Sequence, residues 1–326
     1  MALREHAVVR EERVYDAFLS VLKLLVAMCC AFSICVLIPA PLIVLLPFTI
    51  AATELAHWLV AFHLLVLLLV WRSRRRWVPL VAVSTVICAL PLTQYRLPPP
   101  AAPPAARLAV VDIYGGAWQR GSPSDDAAFD RFLASRGYAV YGIDYRHAPA
   151  AHFPAQLDDV RAAVERVRSE VGGRRLVLCG RSSGAELALL AGYKWPDGIA
   201  GVISFYGPTD LTAGYADVPF PDPIDERAVL RTYLGGTPQQ LPDAYREASP
   251  VSYVRPGLPP TLLIHGLRDH IVKPRFSRDL QKTLIGAGNR VELLELPWSE
   301  HAFDLVPGGI GRRRAWDAVA EFLGRL

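Results

Sequence analysis

Three residues have the types, order and settings to do chemistry together: Ser182, Asp269 and His301. Ser182 is central in Gly180-Arg181-Ser182-Ser183-Gly184. The apolar run Leu176–Leu178 leads in, and the alanine- and leucine-rich run Ala185–Leu190 leads out. Strand, tight turn, helix is the setting in which G-x-S-x-G forms a nucleophile elbow, with small flanks because helix and strand pack closely. In that register Ser182 is the nucleophile, and Ser183 offers its backbone N–H to an oxyanion hole. A hydroxyl needs a base, and in this architecture the acid and then the base follow the serine along the chain. Asp269 comes just after an apolar strand in "LLIHGLRDHIV", and His301 just after the next one in "LPWSEHAFDL". After Asp269 the only histidines are His270 and His301. His270 adjoins the acid and is poorly placed to bridge it to a serine. His265 precedes the acid and belongs to the loop that shapes it. The base would take the serine proton while the acid fixes its tautomer. The glycine-rich segment "DIYGGAWQRG" follows the first strand of this region and allows close backbone approach to an oxyanion.

The elements that must position these residues alternate. Strands are expected at Leu108–Tyr114, Ala139–Ile143, Leu176–Cys179, Gly201–Tyr206, Thr261–His265 and Val291–Leu296, with amphipathic helical patterns between them. Such alternation implies an α/β fold with a mostly parallel, doubly wound sheet. Ligands bind at the carboxyl ends of its strands, where Ser182, Asp269 and His301 all fall. No C-x-x-C pair or histidine cluster is present, so no metal site or cofactor is expected.

From about Ala106 to the end, the chain resembles the α/β-hydrolase superfamily, in its carboxylesterase branch with hormone-sensitive-lipase-like and prenylcysteine methylesterase-like esterases. Tyr114-Gly115-Gly116-Ala117-Trp118 is similar to that branch's H-G-G-[GA]-[FW] oxyanion loop. "GIDYRHAPAAHFPAQLDDV", "SFYGPTDL" and "HGLRDHIV" match it as well. The resemblance implies that Gly116 and Ala117 join Ser183 as oxyanion donors. Tyr114 stands where the branch has histidine, a residue that supports the loop. The family's usual first two strands have no counterpart, which would leave Ala139–Ile143 as a sheet edge. Tyr114, Trp118, Phe205 and Tyr206 are the expected substrate-pocket residues, with the insert Ala213–Tyr245 beside them.

The first third of the chain is different. Of the 326 residues 52% are apolar, and mean hydropathy is +0.24. Between Lys23 and Arg72 the only formal charge is Glu54. Such a run is long enough for two membrane helices of about 20 residues each. We expect spans at Ala17–Ile38 (or, kinked at proline, Ser20–Leu46) and Ile50–Trp71, and a short third apolar run at Trp77–Leu92. A cleaved signal peptide is disfavoured by the length of the first run and by the spans behind it. Arg4, Arg10, Arg13 and Lys23 mark one end, and Arg72–Arg76 a loop; cationic loops stay cytoplasmic. Three spans would place everything after Leu92 on the opposite side. The expected organisation is a membrane region at 1–96, a proline-rich linker at 97–106 and a hydrolase domain at 107–326.

From residue 107 onward the chain has 26 Lys+Arg and 26 Asp+Glu. The basic excess therefore belongs to the membrane part, and nucleic acid is not an expected partner. Cys179 is the only cysteine of the later part, so an internal disulfide is excluded there. The function expected is ester hydrolysis by a membrane-anchored serine hydrolase on a small or lipid-like ester. A peptidase or amidase, and an acyltransferase, are alternatives on the same triad; a non-catalytic binding module is a fourth reading.

Overall fold

The computed structural model describes residues 2–38, 40, 42–96 and 108–326. The proline-rich segment 97–106, Arg107, Pro39 and Pro41 lie outside them. From Leu108 the chain builds a sheet with helices on both faces. Its strands are β1 (Leu108–Ile113), β2 (Ala139–Ile143), β3 (Arg175–Arg181), β4 (Ile199–Phe205), β5 (Thr261–Gly266) and β6 (Val291–Leu296). Their spatial order is β2-β1-β3-β4-β5-β6, and every pairing is parallel. The central strands read as continuous apolar runs because helices cover both faces; every residue of β1, β4 and β5 is buried.

The helices α1 (Ala2–Leu37), α2 (Leu46–Glu54), α3 (Ala56–Ser73) and α4 (Val78–Ala89) precede the sheet. Along the sheet follow α5 (Ala127–Ala134), α6 (Ala155–Glu170), α7 (Ser183–Lys194), α8 (Leu211–Ala216), α9 (Glu226–Leu234), α10 (Pro242–Glu247), α11 (Arg275–Gly286) and α12 (Ile310–Gly324). One core joins α6, α7 and α11 to the sheet through Val160, Leu187 and Leu280. A second joins α5 and α12 to its other face through Phe129, Leu133, Val319 and Phe322.

From β1 the chain winds outward to β2, then returns to lay β3 on the other side of β1. That reversal opens a crevice at the carboxyl ends of β1 and β3, where open α/β sheets bind ligands. Ile113 and Gly180 are register partners there. As expected, β2 is a sheet edge: among the described residues it pairs with β1 alone.

Three helical segments are long and apolar enough to cross a membrane: Arg13–Leu37, Ala56–Ser73 and Arg75–Gln94. This corrects two expected spans. The third run is 20 residues rather than 16, because 3-10 turns extend α4 at both ends. The second does not begin at Ile50, since the helix breaks at Leu55 (φ −98°, ψ 23°) and Glu54 ends the separate α2. The kinked alternative to Leu46 is also excluded, as α1 ends at Leu37. Pro47 falls in the first turn of α2, where its missing N–H costs nothing. α1, α3 and α4 pack through Leu22, Val26, Cys29, Val66, Val70 and Val81, while Leu24, Leu65 and Val86 face outward and exposed.

This bundle has polarity. At one end the Arg74 guanidinium lies 5.6 Å from the Tyr15 ring, so the start of the first apolar segment meets the arginine loop. At the other end the bundle docks on the α/β part. Arg268 donates to the carbonyl of Val36 near the C-terminus of α1, a favourable place for a cation. Gln94 accepts from the Trp298 N–H at 3.1 Å. Glu54, fully buried, accepts from Ser299 Oγ at 2.6 Å and from the Gly311 N–H at 2.5 Å.

Candidate active site

β3 is buried up to Arg181, and α7 starts at Ser183. Ser182 makes the turn between them with φ 50° and ψ −121°, a conformation costly for a residue with a Cβ. The flanking glycines explain how it fits: a Cβ at Gly180 would sit 2.2 Å from the Gly184 carbonyl oxygen, and one at Gly184 would sit 2.1 Å from that of Ile113. The Ser182 N–H is held by the Phe205 carbonyl at 3.0 Å. The hydroxyl therefore stands at the crevice between β1 and β3.

The loop after β6 brings His301 Nε2 to 3.0 Å from Ser182 Oγ, and the loop after β5 brings Asp269 Oδ2 to 2.7 Å from His301 Nδ1. Facing a carboxylate, Nδ1 carries the proton, which leaves Nε2 free to accept from the serine hydroxyl. The N–H groups of Ile271 and Val272 each donate to Asp269 Oδ1 at 2.8 Å, and His265 Nε2 lies 3.3 Å from Oδ2. Burial alone would raise the Asp269 carboxyl; His301 beside it and the bonds from His265 and His301 outweigh burial and hold it well below the usual range. His265 shapes this loop, bonded to Ser277 Oγ at 2.7 Å and the Val272 carbonyl at 2.9 Å.

After β1 the chain passes Gly116 (φ 136°), Ala117 (φ 57°) and Trp118 (φ 58°). This left-handed run turns the loop against the elbow: a Cβ on Gly115 would lie 3.1 Å from that of Ser182. Hydrogen bonds among the described residues leave the N–H groups of Gly116, Ala117 and Ser183 unused.

The four expected pocket residues separate. Trp118 is at the site, stacked on Tyr233 at 4.1 Å with Nε1–H donated to Glu186 at 3.0 Å. Tyr206 lines the main cavity, its ring 4.4 Å from that of His301 and its hydroxyl donated to Asp304. Phe205 does not line it. It ends β4 with its side chain in the core toward α5 and α12, against Phe129 and the Arg181 guanidinium. Tyr114 does not line it either. Stacked on Tyr145 at 4.5 Å, it donates to Asp144 Oδ1 at 2.5 Å, and so ties the glycine loop to the segment after β2.

Several site residues escaped the sequence reading. Arg181, buried beneath the elbow, sits among Asp112, Asp126 and Asp304 at 3.1, 3.1 and 2.7 Å. Three carboxylates share one guanidinium there; burial pushes Asp112 and Asp126 up against the pull of Arg181, helped at Asp112 by Asp130 and at Asp126 by Asp112 and Asp304. A charged residue inside the apolar stretch Leu176–Leu190 was the available signal. Glu186, also in that stretch, carried the same signal; burial raises its carboxyl well above the ordinary value.

Two spaces meet at Ser182. The larger, about 390 Å³, includes His301, Tyr206 and Gly116, with Ile43 and Leu46 from the N-terminal bundle. The smaller, about 40 Å³, lies between Ala117, Trp118, Ser183, Glu226 and Leu230.

Comparison with known proteins agrees with this architecture. The BD-FAE family profile matches residues 97–284, which include Ser182 and Asp269 and stop short of His301. Esterase LipC of Mycobacterium tuberculosis is 31% identical over 240 residues, 67% of this chain and 58% of its own length. Esterase LipQ of the same organism is 30% identical, over 69% of this chain and 57% of its own. The chain thus spans somewhat over half the length of these curated relatives. Among solved structures, an esterase/lipase from an uncultured bacterium superposes with a TM-score of 0.55 at 26% identity, covering 68% of this chain and 77% of that one. A hyperthermophilic esterase from the archaeon Pyrobaculum calidifontis gives 0.59 at 24% identity, over 67% and 76%, a likeness of fold. With the family profile matched over more than half its length, and a parallel sheet carrying helices on both faces, the chain belongs to the BD-FAE family and has the α/β-hydrolase fold.

Proposed function

We propose that this chain is a membrane-anchored serine carboxylesterase that works through Ser182, His301 and Asp269. The observation that carries the reading is His301, whose two ring nitrogens meet the Asp269 carboxylate and the Ser182 hydroxyl at hydrogen-bond distance. Ser182 Oγ attacks the ester carbonyl carbon as its proton passes to His301 Nε2. The tetrahedral oxyanion is met by the N–H groups of Gly116, Ala117 and Ser183. Collapse breaks the bond to the alcohol oxygen, which takes the proton from His301. Water then attacks the acyl-serine carbon and gives a proton to the same nitrogen; collapse breaks the bond to Ser182 Oγ, which takes that proton back as the carboxylic acid leaves. Tyr114 serves by holding the oxyanion loop.

The reading extends to the whole chain: a membrane region at 1–96, a linker at 97–106 and a hydrolase domain at 107–326. The three apolar segments cross the bilayer, and the bundle's polarity supports a cytoplasmic arginine loop with the hydrolase outside the cytoplasm. Alkaline phosphatase fused behind Ala106 should be active; an inactive phosphatase, with an active cytoplasmic reporter at the same junction, overturns that topology.

The test of the chemistry is labelling with a fluorophosphonate probe, followed by hydrolysis of p-nitrophenyl esters and anilides. Wild type should label and cleave esters in preference to anilides. Ser182→Ala should abolish both signals, while Ser183→Ala, which keeps its backbone N–H, retains substantial activity. Activity in Ser182→Ala with loss in Ser183→Ala would overturn the register of the elbow.

A further inference from the structure

The two spaces at Ser182 differ in size and in which catalytic group they contain. Both include Ser182 and Ala117, but only the larger includes His301; the smaller includes Ser183 and Trp118 instead. In acyl transfer the general acid must reach the leaving oxygen. The space holding His301 is therefore where the alcohol sits, and the recess is left for the acyl group. At about 40 Å³ that recess has room for roughly three water-sized spheres.

The recess has rigid walls. Trp118 is fixed by its stack on Tyr233 and its bond to Glu186, which also accepts from the Tyr233 hydroxyl at 3.3 Å. Leu230 is buried. Glu226 also borders the recess, and its Oε2 is buried without a partner among the described residues. A longer alkyl chain would have to press on that carboxyl group, which is unfavourable.

The alcohol space, about 390 Å³, is of ordinary ligand size. Part of its wall comes from the turn before α2 and from the first residue of that helix, through Ile43 and Leu46. Next to them Leu42, Val44 and Phe48 are 60%, 66% and 61% exposed, an apolar rim continuous with the bundle. The exposed charged residues Arg120 and Asp125 line the same space.

We infer that the substrate is an ester of a short acyl group, of the acetyl class, with a large amphiphilic alcohol. The alcohol's apolar part lies against Ile43 and Leu46, and its polar part meets Arg120 and Asp125. This rests on the esterase reading above.

The test uses the full chain in detergent micelles and two series: p-nitrophenyl esters from acetate to octanoate, and acetates from methyl to decyl. kcat/KM should fall by roughly 100-fold from p-nitrophenyl acetate to octanoate, and should rise from methyl to decyl acetate. Val229→Ala, at the recess wall, should raise the octanoate-to-acetate ratio by about fivefold. Ile43→Trp should lower the decyl-to-methyl ratio by about tenfold. A preference for long acyl chains, or ratios unmoved by both variants in protein that still labels with fluorophosphonate, overturns this assignment alone. Wild type that neither labels nor cleaves any ester overturns the esterase reading, and this inference with it.

Discussion

Two histidine–carboxylate pairs are built from the same two loops. Asp269 and His270 are consecutive in one, Glu300 and His301 in the other, and the partners cross: Asp269 meets His301 at 2.7 Å, and Glu300 meets His270 at 2.5 Å. Only the first pair continues to a serine hydroxyl, that of Ser182. The second closes on itself, with Glu300 also accepting the backbone N–H groups of His270 at 2.6 Å and His301 at 3.0 Å. An imidazole beside a carboxylate is thus no sign of catalysis by itself. What differs is what the remaining ring nitrogen faces. The second pair ties the two loops together, and so holds the first in register with Ser182.

The largest effect should separate the pairs. His301→Ala should cost on the order of 10⁴-fold in kcat, and Asp269→Asn a similar factor, if the proposed triad acts as a unit. His270→Ala should cost about tenfold, through small misplacement of His301. Equal losses for His301→Ala and His270→Ala, measured with p-nitrophenyl acetate, would dissolve the distinction.

Glu54 sharpens the comparison, because it reaches the same loop through Ser299 with no imidazole to share its charge. Burial raises its carboxyl to about 7 from an ordinary 4.5. The folded chain therefore keeps a proton that the unfolded chain releases. Stability should fall as pH rises from 4.5 to 7, with the full deficit, about 3 kcal/mol, present above that. Glu54→Gln should remove this dependence. Thermal unfolding in detergent on either side of the interval checks it, and an unchanged pH dependence in the variant would contradict it.

His270 has the opposite sign. Burial would lower its imidazole, but the hydrogen bond and charge of Glu300 raise it. The stability of that pair is fully present below the ordinary histidine value and is lost as pH rises through the raised one. The gap in Tm between wild type and His270→Gln should therefore be wider at about pH 6 than at about pH 9. The smallest effect is expected at Tyr114. Tyr114→Phe loses the bond to Asp144 and should lower kcat/KM by less than about tenfold with both limbs of the pH–rate profile kept; loss of a limb would put the phenol in the chemistry.

The sheet was legible because each strand is a short apolar run bounded by turn residues, and β2 and β6 fall on the expected residues. The meeting of Ser182, Asp269 and His301 was legible from their places at strand ends. Phe205 was misplaced because the chain leaves the strand just after it. Both rings belong to one core, but Tyr206, with φ 42°, turns its ring to His301, while Phe205, the last residue of β4, packs on Phe129. The break at Leu55 was illegible because no proline or glycine marks it, and Ser299, which Glu54 meets beside it, lies 245 residues away. The crossing of the two histidine pairs was hidden for the same reason. Adjacent residues name the groups available, and only loop geometry assigns partners.

Ile43 and Leu46 have a practical consequence for anyone who handles this protein. A fragment beginning at Leu108 would keep the elbow, both histidine pairs and the small recess. It would lack one wall of the larger cavity and would bare the Gly311 N–H and Ser299 that Glu54 now covers. Its turnover of small activated esters would report on the elbow and the histidine, while its choice among alcohols would be that of an open cleft. Specificity measured on such a fragment would belong to the fragment, and inhibitors ranked on it would be ranked against a cavity with a missing side.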